Sequence, residues 1–244
     1  MSRHTKIVAT LGPASSTTEV LESLVQAGID VVRMNFSHGT VEDHIARATG
    51  IRAAAAKFGR TVGILGDLQG PKIRVGKFEG GKITLVPGEN FILDAQCPLG
   101  NQERVGLDYK DLPKDVVNGD ILLLDDGRLK LEVLGVRGRE IHTRVIVGGD
   151  LSNNKGINRQ GGGLTAPALT AKDMDDIKTA AQIGVDFVAV SFPKSAADMY
   201  MARQLLRAAG STAVLIAKIE RVEAITNLAE ILDASDGIMV ARGD

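Results

Sequence analysis

Residues 186–192 read DFVAVSF and residues 213–220 read AVLIAKIE, with SAADMYMARQLLRAAG (195–210) between them. Each outer run is short and almost wholly apolar, as a strand covered on both faces requires. The middle run has a helical period and stops at Gly210. Strand, helix and strand in that order make a parallel crossover unit. The pattern extends in both directions: TAKDMDDIKTAAQIG (170–184) is a helix before the unit, RVEAITNLAEILDAS (221–235) a helix after it, and DGIMVARGD (236–244) a further strand. The N-terminal residues alternate in the same way. KIVAT (6–10), DVVRMNF (30–36) and TVGILGDL (61–68) read as strands, separated by the amphipathic helices TTEVLESLVQAG and VEDHIARATGIRAAAAKFG. Ser16, Thr17 and Thr18 are candidate N-caps for the first helix, and Gly28 and Gly59 are helix stops.

Between these two α/β stretches, residues 71–166 change character. KITLV, NFILDA, DILLLDDGRLKLEVLGV and EIHTRVIVGG are strand-like and punctuated by Gly, Pro and Asn, with Asp126-Gly127 a hairpin turn. No long helix is expected there, and Gly161–Gly163 reads as a flexible hinge returning from the insert. The chain therefore divides into a first scaffold part (1–70), an inserted all-β module (71–166) and a second scaffold part (167–244). The six scaffold strands fit a (β/α)₈ barrel, normally about 250 residues long, cut short by two units. A doubly wound sheet is the alternative. The barrel is preferred because polar residues recur at the C-terminal tips of nearly every strand, where barrel enzymes keep their sites.

Composition narrows the class. Of 244 residues 44% are hydrophobic and 24% charged, and 29 basic against 30 acidic residues leave a formal charge of −1. A disordered chain is excluded. Nothing global attracts nucleic acid or an anionic membrane. No run approaches the ~20 apolar residues of a membrane span, and the N-terminal apolar run is too short for a signal peptide. Cys97 is alone, which forbids an intrachain disulfide and suits a reducing cytoplasm.

The strand tips carry the chemistry. Arg33, Asn35 and Ser37 alternate along one strand and share a face, so a cation, an amide and a hydroxyl converge. Hydration of an exposed strand end is the plain alternative, but buried-looking Val31, Val32, Met34 and Phe36 favour a binding surface. Lys218 and Glu220 share a face of a later strand. They form either a structural ion pair or a division of labour, the ammonium stabilising developing charge and the carboxylate holding a divalent metal. Asp244 ends the last strand, as a second metal carboxylate or as an ordinary cap. The four His residues show no metal-ligand spacing, and no Walker A or dinucleotide glycine pattern is present.

TKIVATLGPAS, VVRMNFSHG, GDLQGPKIR, DDG, LSNNKGIN, VAVSFP, IAKIE and IMVARGD occur in the order found in pyruvate kinases, and as a set the chain resembles that family nearly end to end. The resemblance implies a (β/α)₈ domain A with a β-rich lid, domain B, inserted after its third strand. It implies Mg²⁺- (or Mn²⁺-) dependent phosphoryl transfer from phosphoenolpyruvate to ADP, giving pyruvate and ATP, by a cytoplasmic homotetramer. Arg33 and Lys218 would hold the phosphoryl group, Lys218 also stabilising the enolate oxygen. Glu220 and Asp244 would bind the divalent metal, and Asn35, Ser37, Asp67 and the Leu68 backbone a monovalent cation. Thr10, Pro13, Asn35, His38, Arg74 and Lys155 would face the nucleotide, and the Gly243–Asp244 backbone the substrate carboxylate. Lys72 stands where potassium-dependent members carry Glu, and with Leu68 and Gln69 implies that K⁺ is not required. The last two barrel strands and the C-terminal domain of that family have no counterpart here, so little activity is expected of these 244 residues alone. A metal-dependent lyase or aldolase acting on a pyruvate enolate, and a substrate-binding fragment without turnover, are the competing readings.

Overall fold

The computed structural model describes residues 4–71 and 73–241. In chain order the first part comprises β1 (Val8–Leu11), α1 (Thr18–Ala27), β2 (Val31–Asn35), α2 (Val41–Lys57) and β3 (Gly63–Asp67). The insert follows with β4 (Lys82–Leu85), β5 (Asn90–Asp94), β6 (Arg104–Gly106), α3 (Leu112–Asp115), β7 (Ile121–Leu124), β8 (Leu129–Arg137), β9 (Glu140–Val147), β10 (Gly149–Ser152) and β11 (Ile157–Arg159). Alternation then resumes with α4 (Ala171–Ile183), β12 (Phe187–Val190), α5 (Ala196–Ala208), β13 (Val214–Ile219), α6 (Val222–Thr226), α7 (Leu228–Ala234) and β14 (Gly237–Val240).

The chain packs as two compact units. The first holds the residues up to Gly70 with Ala168–Ile219 and Asn227–Ala241. Its sheet runs β1-β2-β3-β12-β13-β14, every pair parallel. A doubly wound sheet reverses strand order at a switch point. Here spatial order follows chain order from edge to edge, as in a (β/α) barrel, of which these are six strands. Val32, Met34, Ile64, Val188, Ala189, Leu215 and Ala217 fill its core, each at most 1% exposed. Each such aliphatic burial contributes about 1.5–3 kcal/mol for the larger side chains. Thr17 caps α1, its hydroxyl accepting the Val20 N–H, and Gly28 ends that helix in the left-handed region. Thr40 and Thr170 open α2 and α4 with reciprocal capping boxes to Asp43 and Asp173.

The second unit contains Pro71–Pro167 and the short segment Glu220–Thr226. Its main sheet, β11-β7-β8-β9-β5-β6, is antiparallel except for the β5–β6 pair, and β4 pairs with β10. Phe91, Leu93, Val105, Leu122, Leu124, Leu131, Val133 and Ile141 form its dry centre. The β7–β8 turn places Asp126 and Gly127 at φ 57° and 81°, and the Arg128 N–H closes it on the Asp125 carbonyl. Two left-handed residues are what a tightly twisted hairpin turn needs.

Two local expectations change. The helical pattern at 221–235 is not one helix. Asn227 leaves helical geometry (φ −100°, ψ 21°) and donates its Nδ2 to the Lys194 carbonyl, separating α6 from α7. Ser37 does not lie on the face of β2. The strand ends at Asn35, whose carbonyl accepts the His38 N–H while its Oδ1 accepts the Ser37 N–H at 3.0 Å. Ser37 is therefore held in a turn beside Asn35 rather than by strand alternation.

Candidate active site

The parallel register sets Thr10 beside Arg33, and Asn35 and Ala189 on either side of Asp67. The end of β3 is shaped by packing. A Cβ on Gly66 would lie 2.7 Å from the Phe36 ring, so the ring fits only because position 66 is bare. The Phe36 N–H in turn donates to the Asp67 carbonyl at 3.0 Å. Asp67 is thereby fixed at the strand tip with 1% of its surface exposed.

Two cations share that carboxylate. Arg33 donates from Nε to Oδ2 at 2.6 Å, with Nη2 2.5 Å from the same oxygen. Lys218 Nζ stands 3.3 Å from Oδ1, close enough for ion pairing but outside hydrogen-bond geometry. A buried carboxylate without a partner is costly, so both cations stabilise its charged form. Two cations thus meet at one buried carboxylate, in a place where water screens weakly. Two cations held side by side suit an incoming anion.

A further donor of each cation is ordered. Arg33 Nη1 donates to the Thr10 hydroxyl at 3.1 Å. Lys218 Nζ donates to Ser191 Oγ at 2.8 Å, and Ser191 donates onward to the Leu68 carbonyl at 2.7 Å. Ser191 is 2% exposed. The next residue, Phe192, has φ 56°, a conformation that costs a bulky residue roughly 1–3 kcal/mol. Close by, Gly70 passes Ser191 so tightly that a Cβ would lie 2.8 Å from the serine's own. The Gly70 N–H donates to Oδ1 of the fully buried Asp173, whose Oδ2 accepts from the backbone and hydroxyl of Thr170. One carboxylate thus ties together the chain on either side of the insert.

Other expected site residues lie as follows. His38 and Pro13 are exposed, Pro13 opening a short 3-10 turn. Within the second unit, Lys155 pairs with Asp125 at 2.6 Å, and the Arg74 N–H donates to Asp108 at 2.7 Å. Burial pushes the Asp108 carboxyl up, against the lowering effect of the N–H groups of Arg74 and Tyr109. Glu220 is half-buried directly after β13. Lys72, Gly243 and Asp244 fall outside the described residues. Among the described residues no three His, Cys, Asp or Glu side chains group as a metal cage. Sequence reasoning missed Ser191 and the sharing of Asp67. Ser191 was within reach, as a polar residue at the tip of DFVAVSF.

The family model for the pyruvate kinase barrel domain matches residues 2–244. The chain is 60% identical to the pyruvate kinase of Haemophilus influenzae, over 99% of this chain and 52% of that protein. It is 58% identical to pyruvate kinase II of Salmonella typhimurium, with the same coverage. Identity to the Mycobacterium tuberculosis pyruvate kinase is 45%, over 100% of this chain and 52% of the relative. The chain spans about half the length of the curated relatives it matches. With its sequential parallel sheet, inserted β module and matched residues, the chain belongs to the pyruvate kinase family.

Proposed function

We propose that the protein carrying this chain transfers the phosphoryl group of phosphoenolpyruvate to ADP, the last step of glycolysis. The observation that carries the reading is the pair Arg33 and Lys218 on the single buried carboxylate Asp67. Phosphoryl transfer requires positioning and charge neutralisation more than covalent help. In this reading Arg33 and Lys218 hold the transferring group. Its bond to the enolate oxygen breaks as a bond to the terminal ADP oxygen forms, and Lys218 stabilises the charge left on the enolate. The enolate then takes a proton to give pyruvate.

Glu220 and Asp244 are assigned to Mg²⁺ or Mn²⁺. Both offer hard carboxylate oxygens, the donor type that holds Mg²⁺ when substrate and water supply the other ligands. The metal would neutralise phosphate charge and bring the reacting oxygens into line. Thr10, Pro13, Asn35, His38, Arg74 and Lys155 are assigned to the nucleotide, and the Gly243–Asp244 backbone to the substrate carboxylate. Asn35, Ser37, Asp67 and the Leu68 backbone are assigned to a monovalent-cation pocket, with Lys72 as the replacement for K⁺. The β module is assigned the part of a lid that excludes water and so prevents hydrolysis.

These 244 residues alone should turn over little. Strands β1 and β14 are the two edges of the described sheet, and Ile7, Val8, Ile238 and Val240 there are 41–81% exposed. Unpaired apolar edges destabilise a barrel sheet. The test is pyruvate formation from phosphoenolpyruvate and MgADP, assayed for a protein of the relatives' length and for this chain. Absence of ADP-dependent pyruvate from the longer protein would sink the reading.

A further inference from the structure

Within the second unit, the chain leaving β11 runs through three consecutive glycines, Gly161, Gly162 and Gly163, at φ 86°, 80° and 86°. Residues with a Cβ rarely adopt that conformation, and a glycine run left to itself samples many others. The strap is nevertheless held on both sides. Oε1 of Glu223, in α6, accepts the Gly163 N–H at 2.5 Å. A Cβ on Gly162 would lie 2.8 and 2.9 Å from the two Glu223 oxygens. From the other side, a Cβ on Gly163 would lie 2.5 Å from Arg159 Nη1, and the Arg159 carbonyl accepts the Gly162 N–H. Arg159 is itself anchored to Asp120 at 2.9 Å. Two residues beyond the strap, Thr165 donates its N–H and hydroxyl to Asp115 at 2.9 and 2.7 Å.

The strap is therefore fixed at both ends within the β module, and Glu223 holds its middle. The second Glu223 oxygen is buried with no hydrogen-bond partner among the described residues. A carboxylate kept there half-satisfied is costly. Glu223 lies three residues after Glu220, and Glu220–Thr226 packs as one unit with the module that carries Arg74 and Lys155. We propose that Glu223 is a positioning residue. By clasping the glycine strap it makes the loop bearing Glu220 and the return strand following Lys155 hold one geometry, so that the metal and nucleotide groups are set together. The proposal rests on the functional reading given above.

The test has two arms, both on a protein of the relatives' length. Hydrogen exchange of peptides covering 161–165 is measured for wild type, Glu223→Ala and Glu223→Gln. Loss of one hydrogen bond to a charged acceptor should speed exchange there about tenfold in the alanine variant. Glutamine keeps a carbonyl acceptor and should restore much of the protection, and peptides in β7 and β8 should be unchanged in both. In the second arm, steady-state kinetics should show KM for ADP and the Mg²⁺ activation constant rising together in Glu223→Ala, several-fold more than kcat falls, with partial rescue by glutamine. Unchanged exchange at 161–165 would overturn the clasp. Faster exchange with unchanged ADP and Mg²⁺ constants would overturn the positioning role. If wild type itself made no pyruvate, the functional reading and the kinetic role would both fall, while the exchange arm would still decide the clasp.

Discussion

Charge is arranged differently at two places, one in each unit. At the surface of the β module, Lys82 and Asp150 pair one to one, with side chains 64% and 56% exposed. At the strand ends of the α/β unit, one carboxylate with 1% of its side chain exposed serves two cations, whose side chains are 28% and 12% exposed. Balanced exposed pairs contribute little and announce nothing. A desolvated carboxylate shared by two cations is held at a cost, and such sets are concentrated at functional sites.

The strongest way to break that contrast is to remove one of the two cations. Lys218→Met in a protein of the relatives' length should lower kcat by about a thousandfold or more, since the missing cation acts on charge that grows in the transition state. KM for phosphoenolpyruvate should change far less. Near-normal turnover would remove Lys218 from the mechanism.

Next comes the carboxylate. Asp67→Asn leaves two cations facing each other in a desolvated site and should destabilise the fold by about 3–5 kcal/mol. Asp150→Asn breaks an exposed one-to-one pair and should cost at most about 1 kcal/mol. Urea melts of the two variants decide it, and equal losses would erase the distinction between the two arrangements.

That shared carboxylate also shows where sequence reading stops. Strand alternation relates positions two apart, which is how Arg33 and Asn35 were placed on one face. The Arg33–Asp67 and Lys218–Asp67 contacts span 34 and 151 positions and depend on sheet register, which periodicity does not encode. Local chemistry was readable wherever it decides structure locally. The buried run DFVAVSF is β12, Gly28 stops α1, and Asp126-Gly127 turns the β7–β8 hairpin. The break at Asn227 was not readable, because a bond to the distant Lys194 carbonyl makes it. Ser37 was misplaced because a side-chain acceptor, Asn35 Oδ1, ended the strand early.

Lys72 sharpens the comparison from the cation side. If its flexible stem brings an ammonium to the pocket of Asn35, Ser37 and Asp67, the site's charge is complete without K⁺. Turnover in tetramethylammonium buffer should respond little to added K⁺ in wild type. Lys72→Glu should be K⁺-activated several-fold. Strong activation of wild type would show that Lys72 does not fill the role.

The smallest effect concerns the packing behind the site. His44 is 3% exposed, its ring 4.5 Å from that of Phe36, and neither nitrogen finds a hydrogen-bond partner among the described residues. Burial pushes its pKa below the usual imidazole value, helped by Arg47 and Lys172 and opposed by Asp43 and the His38 backbone. The unfolded chain then takes up the proton more readily than the folded one. Stability is whole above about pH 6.5, the unfolded value, and falls as pH drops toward the depressed folded value, by no more than about 1.4 kcal/mol per pH unit. His44→Leu removes the titration and leaves no unmet hydrogen bond, so at pH 8 the two proteins should be close in stability. Between pH 6.5 and 5 the variant should lose less than wild type. Asp108 and Asp176, whose carboxyls burial pushes up, titrate in both proteins and cancel in the difference. Chemical denaturation at half-unit pH steps measures that difference, and parallel curves would mean that His44 is charged in the fold or that its ring does not pack on Phe36.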